Sequence, residues 1–237
     1  RNRGHGQYIT APILAYLIET PNGRILYDVG CDYRKIVDPA LRSKYYDPMQ
    51  GFFDPPEMDE SQRIPSYLRR LGLSPRDIDV VFLGHLHFDH AGGLCDLPGC
   101  EVHVHAEEVS AAATRLDGGI FEDEVAGANA WRLQNAEYDV ATGVSALFTP
   151  GHTAGHMSLF IELPKGRPVI LCGDAADLTE NLTDEVAPGY CWQDNDTLAI
   201  DSIRRLKAIA AAENAELWPN HDFEFFNSLP AFPEWRD

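Results

Sequence analysis

Short apolar runs separated by turn residues dominate the pattern of this chain and predict β-strands. Residues 13–19 form the first run, Pro21-Asn22-Gly23 is a turn signal, and residues 24–28 return, which together predict a β-hairpin. Six later runs predict further strands, at residues 80–83, 101–105, 144–148, 157–162, 168–172 and 215–218.

Other segments carry apolar residues at helical spacing. Ile64, Leu68 and Leu71 share one helical face and Gly72 follows them, so we expect a helix over residues 64–71. Helices are also predicted over residues 106–116 and 196–212. The second of these has the clearest core-facing stripe, made of Leu198, Ile203, Leu206 and Ile209.

Mixed strands and helices predict the α/β (α+β) class and one domain over residues 1–237. No G-x-G-x-x-G or G-K-[ST] loop is present, so a nucleotide-binding fold has no support. Residues 45–60 and 118–138 lack regular periodicity and are predicted to be loop or lid insertions. Aromatic side chains in the first of these segments are candidates for an apolar substrate wall: Tyr45, Tyr46, Phe52 and Phe53.

The composition limits which binding partners and which cellular compartment we expect. The net charge of −18 repels phosphate backbones, so no nucleic-acid partner is expected. No apolar run reaches the roughly 18 residues of a membrane span, and no apolar segment that would suit a signal peptide follows residues 1–5. The five cysteines form no C-x-x-C pair, which favours reduced thiols and a cytoplasmic protein.

The highest density of potential metal-binding side chains in the sequence follows the predicted strand at residues 80–83. His85, His87, Asp89 and His90 fall within six positions. In an extended segment alternate side chains point the same way, so His85 and His87 can bind one ion. Asp89 and His90 lie where the chain turns and can face a second ion. Zinc takes about four ligands, so this cluster alone cannot complete two sites.

Further candidate ligands come directly after apolar runs downstream. His152 lies in Thr149-Pro150-Gly151-His152-Thr153-Ala154-Gly155-His156, after a predicted strand. Asp174 follows the run at residues 168–172, and His221 follows the run at residues 215–218. Loops at strand ends are where functional side chains concentrate, so these residues are expected to complete the metal site.

The order H-x-H-x-D-H, G-H-x-x-G-H, a lone aspartate after a strand and a C-terminal histidine resembles the metallo-β-lactamase superfamily. The resemblance implies an αββα sandwich holding two divalent ions, zinc first, with iron, manganese or cobalt also compatible. It implies that His85, His87 and His152 hold one ion. The resemblance further implies that Asp89, His90 and His221 hold a second ion and that Asp174 bridges the two.

The segment His-Leu-His-Phe-Asp-His-Ala-Gly-Gly at residues 85–93 resembles the N-acyl-homoserine lactonase branch in particular. That branch implies opening of a lactone ring by a metal-bound hydroxide, with Asp89 also orienting the hydroxide. Asp28 and His156 are expected to support the ligands from behind. Relatives of this branch are often dimers, so a homodimer is possible.

One position departs from the lactonase pattern. These lactonases place a tyrosine three residues after the bridging aspartate, where it assists the lactone carbonyl and the leaving oxygen. Here Asp177 stands at that place, and it could bind substrate, pass a proton or cap a turn. Tyr190, or a tyrosine of residues 45–60, could take over the missing role.

Three other functions stay open. A glyoxalase-II-like thioesterase or another carboxylic-ester hydrolase shares the metal motifs, but that thioesterase group adds a C-terminal helical region, whereas 16 residues follow His221 here. A β-lactamase of the superfamily is disfavoured because its second motif differs. A non-catalytic sensor on the same fold is the weakest alternative, because the ligand set is complete.

Overall fold

The first of two sheets contains the predicted hairpin and the strand that leads into the histidine cluster. The structure is a computed structural model, and it describes residue 1, residues 3–126 and residues 130–237. The strands of this sheet are β1 (Tyr16–Thr20), β2 (Gly23–Tyr27), β3 (Val80–Phe82), β4 (Glu101–His105) and β5 (Ala130–Gln134). They lie in sequence order, with β1 antiparallel to β2 and all later neighbours parallel.

The second sheet carries the remaining described strands. These are β6 (Tyr138–Ala141), β7 (Val144–Phe148), β8 (Met157–Ile161), β9 (Val169–Leu171) and β10 (Glu216–Trp218). Their order across the sheet is β10-β9-β8-β7-β6, and only the β10–β9 pair is parallel. Parallel pairing brings the carboxyl ends of β9 and β10 to the same edge of the sheet, next to each other.

Helices form the outer layers. Their bounds are α1 (Tyr33–Val37), α2 (Pro39–Tyr46), α3 (Ile64–Arg70), α4 (Phe88–Ala91), α5 (Ala106–Thr114), α6 (Glu122–Val125), α7 (Thr179–Asp184), α8 (Asp196–Glu213) and α9 (Phe223–Ser228). Short 3₁₀ turns lie at Asp47–Met49, Glu60–Gln62, Pro75–Asp77, Gly92–Asp96, Gly173–Ala175 and Trp192–Asp194.

Alternation of side chains along the strands explains the layering. In β3, Val81 packs with Leu68 of α3, whereas its neighbour Phe82 packs between the sheets against Met157 and Leu159 of β8. The second sheet divides in the same way. Leu171 of β9 faces the first sheet, and Ile170 packs with Ile203 and Leu206 of α8. Since successive strand residues point to opposite faces, both sheets have two buried faces. The predicted αββα sandwich is confirmed.

Two expectations about elements need correction. The hairpin strand begins at Tyr16, because residues 13–15 make no ladder hydrogen bonds with β2. The prediction of an insertion over 118–138 is wrong for its second half, because Ala130–Gln134 pairs with β4 and Tyr138 begins an edge strand of the second sheet. Residues 127–129 of that prediction lie outside the described residues. The irregular segment predicted at residues 45–60 begins inside α2, passes through the 3₁₀ turn at Asp47–Met49 and has no regular structure over residues 53–59.

Within the described part of the chain, no helix has both the length and the apolar character needed to cross a membrane.

Candidate metal centre

The predicted ligands lie on loops that meet where the two sheets face each other. His85, His87 and the first turn of α4 follow β3 in the first sheet. His152 lies on the β7–β8 loop, Asp174 follows β9, and His221 follows β10 in the second sheet. The backbone N–H of Met157 donates to the carbonyl of Gly84 over 2.8 Å, which ties the two sheets together beside the cluster.

Asp174 is the centre of this cluster. Its Oδ1 lies 3.3 Å from His90 Nε2, and its Oδ2 lies 3.3 Å from His152 Nε2 and 3.2 Å from His221 Nε2. Asp89 Oδ2 lies 3.6 Å from both His90 Nε2 and His221 Nε2. His85 Nε2 is 3.9 Å from Asp174 Oδ2. One carboxylate therefore faces imidazoles from the three other ligand-bearing loops.

The seven predicted ligands fall into groups that could each hold an ion. Their nitrogen and oxygen atoms lie within 4.8 Å of one another in each of these sets: His85 with His87 and His152; His85 with His90 and Asp174; Asp89 with His90 and His221. The structure therefore brings together every residue of the predicted ligand set. A fourth set of His152, Asp174 and Asp177 adds the residue at the departing position.

The hydrogen bonds around the imidazoles fit cation binding. On the outer side, the Nδ1 atom of His90 donates to Asp28 over 2.8 Å and that of His221 donates to the Pro12 carbonyl over 2.8 Å. The inner Nε2 of His90 and both ring nitrogens of His85 are buried without a hydrogen-bond partner. Buried polar atoms without partners are costly. A borderline-soft cation such as zinc would satisfy them, because imidazole and carboxylate are its usual ligands.

A family model described as the metallo-β-lactamase superfamily matches residues 9–221 of this chain. The chain belongs to the metallo-β-lactamase superfamily. The N-acyl homoserine lactonase AiiA of Bacillus thuringiensis subsp. kurstaki is 34% identical over 231 residues, which cover 97% of this chain and 89% of AiiA. The predicted resemblance to the lactonase branch is thereby confirmed.

Solved structures of lactonases also match this superfamily member closely. An N-acyl homoserine lactone hydrolase with the product N-hexanoyl-L-homoserine at its catalytic metal centre has a TM-score of 0.84 and 33% identity, covering 97% of this chain and 88% of that chain. A mutant of Bacillus thuringiensis AiiA with N-decanoyl-L-homoserine in its active site gives the same TM-score of 0.84, at 33% identity and the same coverage.

In this member of the superfamily, Asp28 and His156 lie behind the ligands, where they were expected. Asp28 has a φ of 57°, and its other oxygen accepts the N–H of Gly84 over 2.8 Å. His156 accepts the N–H of Asp174 over 3.0 Å at Nε2, and its Nδ1 lies 2.8 Å from the Thr149 hydroxyl. Burial lowers the pKa of His156 to about 3, so the ring stays neutral and can accept this bond.

Charges in the cluster balance one another. Burial alone would raise the pKa of Asp174, but the imidazoles of His221 and His90 hold it well below its usual range. For His221 the effects are reversed: burial alone would lower its pKa, but the Asp174 carboxylate raises it to about 10. The same carboxylate raises the pKa of His90 against the effect of burial. The cluster therefore favours positive charge, and metal ions could replace the protons that its imidazoles hold.

Two buried carboxylates that sequence reasoning missed also touch the ligand loops. Asp117 Oδ2 lies 3.0 Å from His87 Nε2. Glu108, in α5, accepts the N–H of Gly155 over 2.7 Å and the N–H of Leu86 over 3.3 Å. No metal-ligand spacing marks either residue, and their partners are 22 to 47 positions away in the chain.

Tyr190 and Asp177, two of the residues predicted to act on substrate, lie beside the ligand cluster. The ring of Tyr190 lies 5.7 Å from the rings of both His87 and His152 and is 41% exposed. Asp177 accepts the N–H of Gly189 over 3.3 Å and leaves Oδ1 without a partner, and burial raises its pKa to about 7. Both residues lie at the ligand cluster, within reach of a molecule bound there.

The aromatic wall predicted from residues 45–60 is only partly formed. Phe53 stacks on Phe88 at 5.3 Å and Tyr45 packs on Phe121 at 4.9 Å. Phe52 is 89% exposed and points away from the core. The expectation for Tyr46 is wrong, because its ring is buried between Phe88 and Phe121 and is part of the core.

Proposed function

We propose that this protein is a dinuclear metal hydrolase that opens the ring of a lactone, with N-acyl-homoserine lactones as the substrate class. The observation that carries this proposal is the convergence of seven candidate ligand side chains, six of them around Asp174. It occurs in a chain that is 34% identical, over 97% of its length, to an N-acyl homoserine lactonase.

The sets of ligand atoms that lie within 4.8 Å of one another support the ligand roles that the family resemblance implies. The first ion would be held by His85, His87 and His152, and the second by Asp89, His90 and His221, with Asp174 between them. Zinc is the expected metal, and two bound divalent ions would lower the pKa of a water and polarise the ester carbonyl. The N–H of Asp174 and the amide of Asn220, which donates to Asp174 Oδ1 over 2.9 Å, keep the shared carboxylate in place.

Asp89, Tyr190 and Asp177 are the side chains that we expect to act on water and substrate. The Asp89 side chain is 17% exposed, so it can orient an attacking water. Tyr190 has a phenol at the mouth of the cluster and could donate to the lactone carbonyl. Asp177, with one unpartnered oxygen, could return a proton to the ring oxygen as it leaves.

The compartment is also a proposal. Cys31, Cys95, Cys100, Cys172 and Cys191 are all free thiols in the structure. Proteins in oxidising compartments seldom keep that many unpaired cysteines. We therefore place this hydrolase in the cytoplasm, acting on a small molecule.

A lactone panel followed with a pH indicator tests the activity, because each ring opened at neutral pH releases acid. We expect turnover of N-acyl-homoserine lactones by the zinc-loaded protein and its loss in Asp174→Asn and His152→Ala. Ser110→Ala on the exposed face of α5 serves as the control and should keep full activity. Hydrolysis of thioesters but of no lactone would favour the glyoxalase-II-like alternative and overturn the proposal.

A further inference from the structure

Residues 116–126, here called the strap, cross the protein beside His87. The carbonyl of Gly119 accepts the N–H of Phe88 over 2.9 Å. Phe121 stacks on Phe88 with centroids 5.2 Å apart. At the other end, Lys35 Nζ lies 2.7 Å from Glu124 and is 2% exposed. The strap is thus fixed to the protein at its closest approach to the metal cluster, through Gly119, and again beyond it, through Phe121 and Glu124.

Asp117 is the strap residue that reaches the cluster. Its side chain is 3% exposed, with Oδ2 3.0 Å from His87 Nε2. Its Oδ1 accepts the N–H of Gly119 over 2.9 Å. An ionised carboxylate accepts hydrogen bonds and has none to donate. His87 therefore carries a proton on Nε2, and in the neutral ring, the form that binds a metal ion, Nδ1 is the unprotonated nitrogen.

That Nδ1 atom faces the other ligands. It lies 3.0 Å from His152 Nε2 and belongs, with His85, to the three-histidine set whose atoms are within 4.8 Å. The opposite tautomer would place a proton on the atom that faces the ion. A hydrogen bond on one imidazole nitrogen decides which nitrogen is free to bind metal.

A glycine lets the strap lie this close to the ring. A Cβ atom at Gly119 would come 2.8 Å from His87 Cδ2 and 3.0 Å from His87 Nε2. At the neighbouring Gly118, a Cβ would meet nothing within 4 Å. The two glycines are adjacent in the chain but differ completely in what a methyl group would do to His87.

We propose that Asp117 is a positioning residue which, from a strap held in place by Gly119, fixes the tautomer and the orientation of His87 for metal binding. This inference rests on the proposed metal site and adds a residue from outside its ligand set. Carboxylates behind metal-bound histidines typically change metal affinity about 10- to 100-fold when removed.

Zinc affinity, measured by competition with a chromophoric chelator, tests the role of Asp117. We expect Asp117→Ala to weaken binding of the ion that His85, His87 and His152 would hold about 10- to 100-fold. Asp117→Asn, which keeps an acceptor oxygen, should lose less. Long-range ¹H–¹⁵N spectra of the zinc-loaded protein should show a proton on Nε2 of His87 in the wild type. That proton should exchange freely with water in Asp117→Ala, a change that a purely structural role would not cause.

Gly119→Ala and Gly118→Ala form a matched pair that does not depend on whether the Asp117 variants fold. Gly119→Ala should weaken zinc binding and shift the His87 signals, while Gly118→Ala should match the wild type. Equal zinc affinities in these two variants would overturn the inference. So would Asp117→Ala protein with wild-type affinity.

The wild-type protein separates this inference from the proposed function. If it binds zinc tightly and Asp117→Ala does so equally well, only the role of Asp117 is overturned. If the wild type itself binds no zinc, the proposed function fails, and the role of Asp117 fails with it.

Discussion

At the scale of single residues, the cluster around Asp174 holds protons where metal ions are expected to bind. The Asp174 carboxylate raises the pKa of His221 to about 10, whereas a histidine in water titrates near about 6.5. The metal-free protein therefore keeps His221 protonated at neutral pH. Zinc binds the deprotonated ring, so each ion must displace protons on entry.

Zinc binding should thus release protons and strengthen with rising pH. Since the raised pKa holds the His221 proton below about pH 10, apparent zinc affinity should rise from pH 7 towards that value. Calorimetric titrations at pH 8 in two buffers of different ionisation heat would count the protons. We expect each chain to release about one proton or more when zinc binds. No proton release at pH 8 would mean that His221 is unperturbed.

The sequence pointed to the side chains that meet around Asp174 and to Asp28 and His156 behind them, but not to Asp117 or Glu108. His85, His87, Asp89 and His90 are recognisable because four ligand types fall within six positions after a strand. Asp117 contacts His87 across 30 positions of the chain, and nothing in the local pattern marks it. Contacts of that kind depend on how the strap packs, which periodicity does not encode.

At the scale of elements, α5 connects two ligand loops through one side chain. Glu108 is fully buried and accepts N–H groups from Leu86, in the first ligand loop, and from Gly155, near His152. A Cβ at Gly155 would lie 2.6 Å from the backbone nitrogen of Glu108, so the loop packs directly onto the start of the helix. We expect the two loops to keep their spacing through this carboxylate.

Glu108→Ala should destabilise the protein by about 2 to 5 kcal/mol, because it leaves two buried N–H groups without an acceptor. The matched control is Glu107→Ala, one position earlier in α5 and exposed. This control should change the free energy of unfolding by no more than about 0.5 kcal/mol. Urea unfolding of both chelator-treated variants would measure the difference. Equal stabilities would show that Glu108 does not connect the loops.

Element prediction succeeded for the buried strands and for the edge strands β1 and β10, but it failed for the edge strands β5 and β6. The strands β3 and β9 are continuous apolar runs, and β8 is apolar except for Ser158, because both faces of their sheets are covered. The edge strands β5 and β6 are largely exposed or half-buried, so their polar residues hide the pattern. Helices α1 and α2 were missed as well, since Asp38-Pro39 interrupts their helical periodicity.

At the scale of the whole molecule, the candidate metal site joins two sheets that also contact each other through apolar packing and through the Met157–Gly84 hydrogen bond. Its ligands follow β3 of one sheet and β7, β9 and β10 of the other. The pairing of β10 with β9 joins segments that are far apart in sequence, so local patterns could not predict it. The sandwich was expected only through the family resemblance of its motifs.

Removing the metal ions should therefore lower the stability of the whole protein. An ion that binds only the folded state at 100 times its Kd adds about 2.7 kcal/mol. Two such ions would raise the melting temperature of a protein of this size by roughly 10 °C or more. Thermal unfolding with and without a chelator would measure the loss, and added zinc should restore it. If the chelator does not change the melting temperature of the wild type, the ions do not stabilise the fold. A wild-type melting temperature equal to that of Asp174→Asn under all conditions would contradict the expectation in the same way.

The product formed from N-hexanoyl-L-homoserine lactone tests the central claim most directly. Mass spectrometry of the reaction in ¹⁸O-labelled water identifies both the bond that breaks and the source of the new oxygen. Lactone opening predicts a single product, N-hexanoyl-L-homoserine, heavier than the substrate by one labelled water. Unchanged lactone in the presence of zinc-loaded protein, or hexanoate with free homoserine lactone from amide cleavage, would contradict the account.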